Sequence, residues 1–250
     1  MRLIALRIAS PLMLLALWQL AASTHVLDPR LFPPPTSVAR SFVDYARSGE
    51  LWTNASWTLG RILIGCLIGG IPGTLLGLAM GMNRYVRAAV EPLIGLLYPI
   101  PKIAILPLFY FIFGLGEAAK WAAVATGVFF LMVINTEAGV RQLPPIYRDV
   151  ARAFGMRPTT YYLRVLLPGA LPNIWAGIRL SVGIAMVLAI AAEFQLTRVG
   201  LGFAIFNAQQ ILDVERLYAA LAAVSILGFL VTLLVDALER VVVPWSNTRR

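Results

Sequence analysis

The feature that most constrains this chain is an apolar run over residues 62–82, with no charged side chain between Arg61 and Arg84. About 20 largely apolar residues span the hydrocarbon core of a bilayer as a helix. In that core no water is available to backbone N–H and C=O groups, so a spanning segment bonds them internally. Five further runs read the same way, which puts spans at about 4–22, 62–82, 88–114, 118–136, 174–193 and 217–237. Only 13 % of the residues are charged and 59 % are hydrophobic, against about 25 % charged in soluble domains. The mean hydropathy is +0.79. The 250 residues therefore read as one all-α domain, a polytopic membrane protein with six transmembrane helices and a long cytoplasmic loop over 137–171. Intrinsic disorder, a disulfide scaffold and a soluble enzyme are poor fits.

The single cysteine, Cys66, lies inside an apolar run, and the single histidine, His25, in a polar stretch. Neither an intrachain disulfide nor a multi-histidine metal site is expected. The net charge of +9 is explained by loop arginines that set topology, without nucleic acid as a partner. With both termini inside, the cytoplasmic segments hold Arg2, Arg7, Arg84, Arg87, Arg141, Arg148, Arg152, Arg157, Arg164, Arg240, Arg249 and Arg250. The outer segments hold about half as many basic residues. Arg2 and Arg7, followed by an apolar stretch ending at Ser23, also fit a signal peptide. A polytopic chain needs no separate signal, so a retained first helix is the simpler reading. Pro33, Pro34 and Pro35 lead into a short outer helix, expected to be capped at Thr36 or Ser37, with Val38, Phe42 and Tyr45 at helical spacing.

Gly65, Gly69, Gly73, Gly77 and Gly81 recur every fourth residue in the second span. Small residues at that spacing leave a flat face on which another backbone packs closely in lipid. Packing within the chain is the leading reading, and a subunit interface or moving contact the alternative. The third span carries Tyr98, Pro99, Pro101, Lys102 and Pro107 within ten residues. Prolines free backbone carbonyls, which in a membrane are satisfied only by protein or by a water-filled cavity. Broken helices of this kind line substrate paths in transporters. These five residues, with Glu193 near the outer mouth, form the candidate translocation pathway. Lys102 either lines it or sits at an interface end. Arg179 and Glu193, about 21 Å apart along one helix, cannot pair with each other. Each is read as snorkelling to a membrane edge or facing a solvated cavity.

The loop over 137–171 is the most informative part. Tyr147, Val150, Ala151 and Phe154 fall at i, i+3, i+4 and i+7, an apolar stripe opposite Arg148, Asp149 and Arg152. Gly155 follows as a helix stop, and a second short helix is expected from about Thr159 to Leu167, ending at Pro168. A short amphipathic helix outside the bilayer lies on lipid, packs on its own protein, or enters a partner's groove.

The same loop carries Asp149-Val150-Ala151, three residues, Gly155, nine residues, Val165, one residue, then Leu167-Pro168. It resembles the Glu-Ala-Ala motif (Glu-Ala-Ala, three residues, Gly, nine residues, Ile, one residue, Leu-Pro) of permease subunits of bacterial ATP-binding-cassette importers. Every spacing is kept; Asp replaces Glu, and Val replaces the first Ala and the Ile. The run from Pro99 to Pro107 into Phe113-Gly114-Leu115-Gly116, and Ala192-Glu193 followed by Gly200-Leu201-Gly202, are similar to the subfamily importing nitrate, taurine and other sulfonates. The resemblance covers about residues 32–242.

That resemblance implies a type I importer fold and a permease dimer, most simply two identical copies. It implies one ATP-binding subunit under each copy, an external substrate-binding protein and a multi-pass location in the bacterial inner membrane. The helix around Asp149 to Gly155 is then the coupling helix. Tyr147, Val150, Ala151 and Phe154 fill a groove of the ATPase, and Gly155 permits a sharp exit. No Gly-x-x-x-x-Gly-Lys-Ser/Thr loop occurs in the chain. ATP and its Mg²⁺ thus belong to the partner subunit, and no cofactor, metal site or catalytic residue is assigned here. Two rivals stand beside this reading. A channel or gradient-driven carrier would keep ion-coupling carboxylates in its spans, where little beyond Glu193 and Asp236 is found. A membrane-embedded lipid transferase would need an Asp-x-x-Asp cluster, which is absent.

Overall fold

Helix is the only regular secondary structure among the described residues. The structure, a computed structural model, describes residues 2–24, 26–194 and 197–245, and of residues 2–8 the backbone alone. His25, Arg249 and Arg250, and the side chains of Arg2 and Arg7, lie outside the described residues.

The chain runs through α1 (Arg2–Ser23), α2 (Pro35–Arg47), α3 (Glu50–Met82), α4 (Arg84–Leu97), a 3₁₀ turn (Lys102–Ile105), α5 (Leu106–Phe113) and α6 (Glu117–Arg141). It continues through α7 (Ile146–Ala153), α8 (Pro158–Tyr161), a π-helical turn (Tyr162–Leu166), α9 (Leu167–Glu193), α10 (Leu201–Gln210) and α11 (Val214–Val242). Among the described residues four helical stretches are long and apolar enough to cross a membrane: Glu50–Met82, Glu117–Arg141, Pro158–Glu193 and Val214–Val242. The third expected span is broken, its halves Arg84–Leu97 and Lys102–Phe113 meeting at 85°.

Several boundaries differ from the sequence reading. α3 begins twelve residues before position 62 and runs 33 residues, about 50 Å. Its first three turns carry Asn54, Thr58 and Arg61, polar residues that hydropathy assigns to a loop but that are buried against protein. α2 starts at Pro35, whose fixed φ suits the first helical position, and no side chain caps it. Thr36 instead gives its backbone N–H to Gln19 Oε1 at 3.2 Å. Pro168 does not end a helix. Immediately before it the chain widens into the π-turn, where the Leu167 N–H bonds back to the Tyr162 carbonyl. That wider turn accommodates a proline that lacks an N–H and would otherwise crowd the carbonyl of the preceding turn, and the helix continues to Glu193. α10 lies where only a loop was expected.

The chain forms two compact units. One comprises Met1–Thr58 and Glu193–Leu227. In it Trp18 packs on Tyr218 at 5.6 Å between ring centroids, and the Arg216 guanidinium lies 3.8 Å over the buried Tyr45 ring while pairing with Glu50. Burial pushes the Tyr45 phenol above its ordinary pKa, so it stays a neutral hydroxyl and accepts from Asn54 Nδ2 at 2.8 Å.

The other unit comprises Leu59–Ala192 and Gly228–Arg250, and α6 is its packing centre. All five glycines of the α3 stripe abut α6. A Cβ on Gly65 would meet Val124, and one on Gly69 would fall on the Ala125 backbone. On Gly73 and Gly77 it would lie 2.7 Å from the carbonyl oxygens of Phe129 and Val133, and on Gly81 2.5 Å from Val140 Cβ. α6 answers with its own Gly127 and Gly139 against α9, where a Cβ would strike Leu188 and Asn173. Close backbone approach is how helices gain dispersion contact where lipid offers no hydrophobic drive.

Candidate functional site

α7 is the most amphipathic element of the chain and is held at both ends by backbone chemistry. Pro144 and Pro145 precede it, their carbonyls accepting from Tyr147 and from Arg148 and Asp149. At its C-terminus the Gly155 N–H bonds the Arg152 carbonyl and the Met156 N–H bonds the Ala151 carbonyl, both at 2.9 Å. That pair is a Schellman closure, which needs its C′ residue in the left-handed region. Gly155 supplies it with φ = 62°.

The stripe read from the sequence divides in two. Phe154 is 83 % exposed, and Ile146, Tyr147 and Val150 are exposed with it. Ala151, at 6 %, instead turns inward, and the exposed Arg148 and Arg152 line a cavity with it. Val165, Leu167 and Pro168 are half-buried where the π-turn passes into α9. Three large apolar side chains on an eight-residue helix, with Phe154 at its C-cap, thus form an exposed apolar patch.

In the broken segment Tyr98, Pro99, Pro101 and Pro107 are all exposed. Lys102 takes a definite part in the break. Its Nζ donates to the carbonyls of Leu97 at 2.8 Å and Tyr98 at 3.1 Å, the C-terminal end of α4. It also stands 4.3 Å from the centre of the Phe130 ring on α6. A cation at a helix C-terminus satisfies orphan carbonyls and meets the negative end of the dipole, so Lys102 caps the half-helix that the prolines leave open.

Glu193 is 1 % exposed. Its carboxylate accepts from Thr58 Oγ1 at 2.8 and 2.9 Å and from the Gly202 N–H at 2.8 Å. Thr58 Oγ1 in turn accepts from the Leu201 N–H at 2.9 Å, and Asn54 Oδ1 from the Gly200 N–H at 2.8 Å. The first turn of α10 is thus capped by two side chains remote in sequence and by the nearby Glu193, a carboxylate at the positive end of the helix. Gly200 (φ 124°, ψ 158°) occupies a backbone region open essentially to glycine alone.

Two further charge groups were not legible in the sequence. Arg61, 1 % exposed, donates from Nε and Nη2 to the two Glu117 oxygens at 2.7 Å each, and Lys120 donates to the same carboxylate at 2.7 Å. Arg179 pairs with both Asp236 and Glu239 of α11, beside Trp175, whose indole donates to the Val235 carbonyl at 3.2 Å. Each group joins residues more than fifty positions apart. The only local sign of them is a charged residue inside or at the edge of an apolar run.

The profile of the family described as the inner membrane component of binding-protein-dependent transport systems matches residues 73–246. The chain is similar to SsuC of Escherichia coli (strain K12), a permease protein assigned to aliphatic sulfonates transport. The two are 34 % identical over 236 residues, 94 % of this chain and 90 % of that one. It is also similar to the taurine transport system permease protein TauC of the same organism, 30 % identical over 98 % of this chain and 91 % of that one. Among solved structures it resembles a chain of the MetNI methionine ABC transporter in an inward-facing conformation. The TM-score is 0.62 at 22 % identity, over 77 % of this chain and 94 % of that chain, a likeness of fold.

Proposed function

The chain belongs to the family of binding-protein-dependent transport system inner membrane components, and on that premise we propose that it imports a small sulfonate-class anion. As a permease subunit of an ABC importer it works with ATP hydrolysed on a separate subunit. The proposed assembly is two copies of this chain, two ATP-binding subunits carrying ATP and Mg²⁺, and an external binding protein that delivers the solute. The membrane is the bacterial inner membrane, with six spans and both termini cytoplasmic. Family membership removes the reason for the gradient-driven alternative.

The observation that carries the coupling role is the face of α7: Ile146, Tyr147, Val150 and Phe154 exposed on a helix whose exit Gly155 fixes. An apolar helix face entering a partner's groove is a recurrent recognition mode. Asp149 starts the turn, and Ala151, Val165, Leu167 and Pro168 tie it to the body of the chain. ATP-driven closure of the ATPase pair then moves α7 and, through the π-turn, α9. We assign the path to the broken segment of Tyr98, Pro99, Pro101 and Pro107, with Lys102 holding the break open, and give Glu193 the separate role of fixing α10. The sulfonate class rests on the similarity to SsuC and TauC, and nitrate and taurine belong to the same test.

The test is ATP-dependent uptake in proteoliposomes holding the whole assembly, with taurine, ethanesulfonate and nitrate as competing solutes. Wild-type protein is expected to take up a sulfonate only with ATP and the binding protein present, and Phe154→Asp to lose uptake with the chain still inserted. Uptake that persists without ATP sinks the proposal, and normal uptake by Phe154→Asp sinks the coupling assignment.

A further inference from the structure

Behind the exposed face of α7 lies a cavity of about 390 Å³, within the size range of small-ligand sites. The ends of α3 and α6, the inner side of α7 and the π-turn enclose it. Its walls hold two charged side chains, Arg148 and Arg152, and no carboxylate. The arginines are one turn apart on α7, so both guanidiniums address the same space. Among the described residues neither guanidinium has an ion-pair or hydrogen-bond partner. Tyr161 and Tyr162 add two phenols, and Val140, Leu143 and Leu166 add apolar lining. Elsewhere the chain pairs the buried Arg61 with Glu117, and Arg179 with Asp236 and Glu239, whereas Arg148 and Arg152 line the cavity as exposed side chains. No acid among the residues lining the cavity offsets them.

We propose that the cavity binds an amphiphilic oxyanion, with a phosphoryl or sulfonyl group held between Arg148 and Arg152 and its apolar part against Leu143 and Leu166. Planar guanidinium forks match tetrahedral oxyanions in bidentate geometry. Two sources present that chemistry: the headgroup of an anionic phospholipid, and an alkanesulfonate on the cytoplasmic side. The occupant sits directly behind α7, so it stiffens the element that the ATPase moves. The assignment stands on the cavity and its charges and does not require the coupling role of α7.

The experiment uses the full chain, purified in a neutral detergent and, separately, in nanodiscs. Octanesulfonate binding is followed by calorimetry with octanol as the uncharged control. Retained lipid is read by native mass spectrometry after nanodiscs of phosphatidylcholine, with or without phosphatidylglycerol. The expected result is saturable octanesulfonate binding, or specific phosphatidylglycerol retention, weakened at least tenfold in Arg148→Gln/Arg152→Gln and partly restored in Arg148→Lys/Arg152→Lys. Which probe binds identifies the source. Co-purification of the ATPase subunit is measured for the same variants. The proposal is overturned if neither probe binds saturably to wild-type protein, or if the probe that binds wild type binds the glutamine variant equally well. It is overturned in the second way even if that variant loses the ATPase subunit, since the arginines would then serve the partner.

Discussion

The glycine face of α3 and the outer face of α7 are both made of uncharged side chains on helices, and they are built on opposite rules. Along α3 the contact is finished: at Gly69, Gly73 and Gly77 the space for a single added carbon is already taken by the backbone of α6. Along α7 the apolar groups stand clear, with Phe154 largely in the open. Protein interiors at crystal-like density tolerate little added volume, whereas an uncovered apolar patch has its energetic value only in an assembly. The glycine face thus belongs to the stability of the chain, and the α7 face to the partner contact proposed for it. The two are separable by mutation.

The largest effect is expected at Gly69→Leu. Backbone, not a flexible side chain, stands where the new atoms go, so the change exceeds the ~1–3 kcal/mol of ordinary overpacking. Little monodisperse protein should be recovered from membranes by size-exclusion chromatography. Gly95→Leu, at a position with no atom within 4 Å of the added Cβ, should behave as wild type. Equal recovery of the two variants would break the comparison.

Next comes Phe154→Asp, with the reverse pattern of normal recovery and melting but ATPase retention and uptake lowered more than tenfold. Gly155→Ala sharpens the same point, since a left-handed non-glycine residue costs about 1–2 kcal/mol. Its expected signature is weakened coupling with the spans intact, read as lower uptake at unchanged recovery.

A smaller loss follows from Glu193→Gln. The amide keeps one acceptor but gives up the charge at the start of α10, worth about 2 kcal/mol for a charge-assisted bond. It should appear as a lower melting temperature that Glu193→Asp does not repair, because the shorter side chain cannot reach both Thr58 and Gly202. The smallest expected change is at Lys102→Met, about 1 kcal/mol from carbonyls that water re-solvates in part. If it instead abolishes uptake without changing the melting temperature, Lys102 touches the solute, and its capping role is secondary.

How far the sequence carried the reading can be traced residue by residue. The apolar runs, the break at Pro99 to Pro107, the amphipathic α7 and its stop at Gly155 are local patterns with local causes, and hydropathy and 3.6-residue periodicity expose them. The start of α3 was missed because Asn54, Thr58 and Arg61 look like loop residues until their partners are known. α10 was missed because its capping groups come from Asn54, Thr58 and Glu193, about 140 residues away for two of them. Ala151 was grouped with Phe154 on spacing alone. A spacing of three residues fits one broad stripe, and only the surrounding helices determine where that stripe is cut between interior and partner.

The sequence by itself determined that this chain lives in a bilayer, where its long apolar runs lie, and which short helix is amphipathic. Each follows from the high free energy of an unsatisfied backbone or an exposed apolar side chain in the wrong solvent, a local quantity. Only the tertiary structure decided that α6 receives the glycine face, that Lys102 closes a half-helix, which acids neutralise Arg61 and Arg179, and that Arg148 and Arg152 are left without one. Those are pairings between distant positions. Coulomb and packing energies depend on separations of a few ångströms, which chain order does not encode.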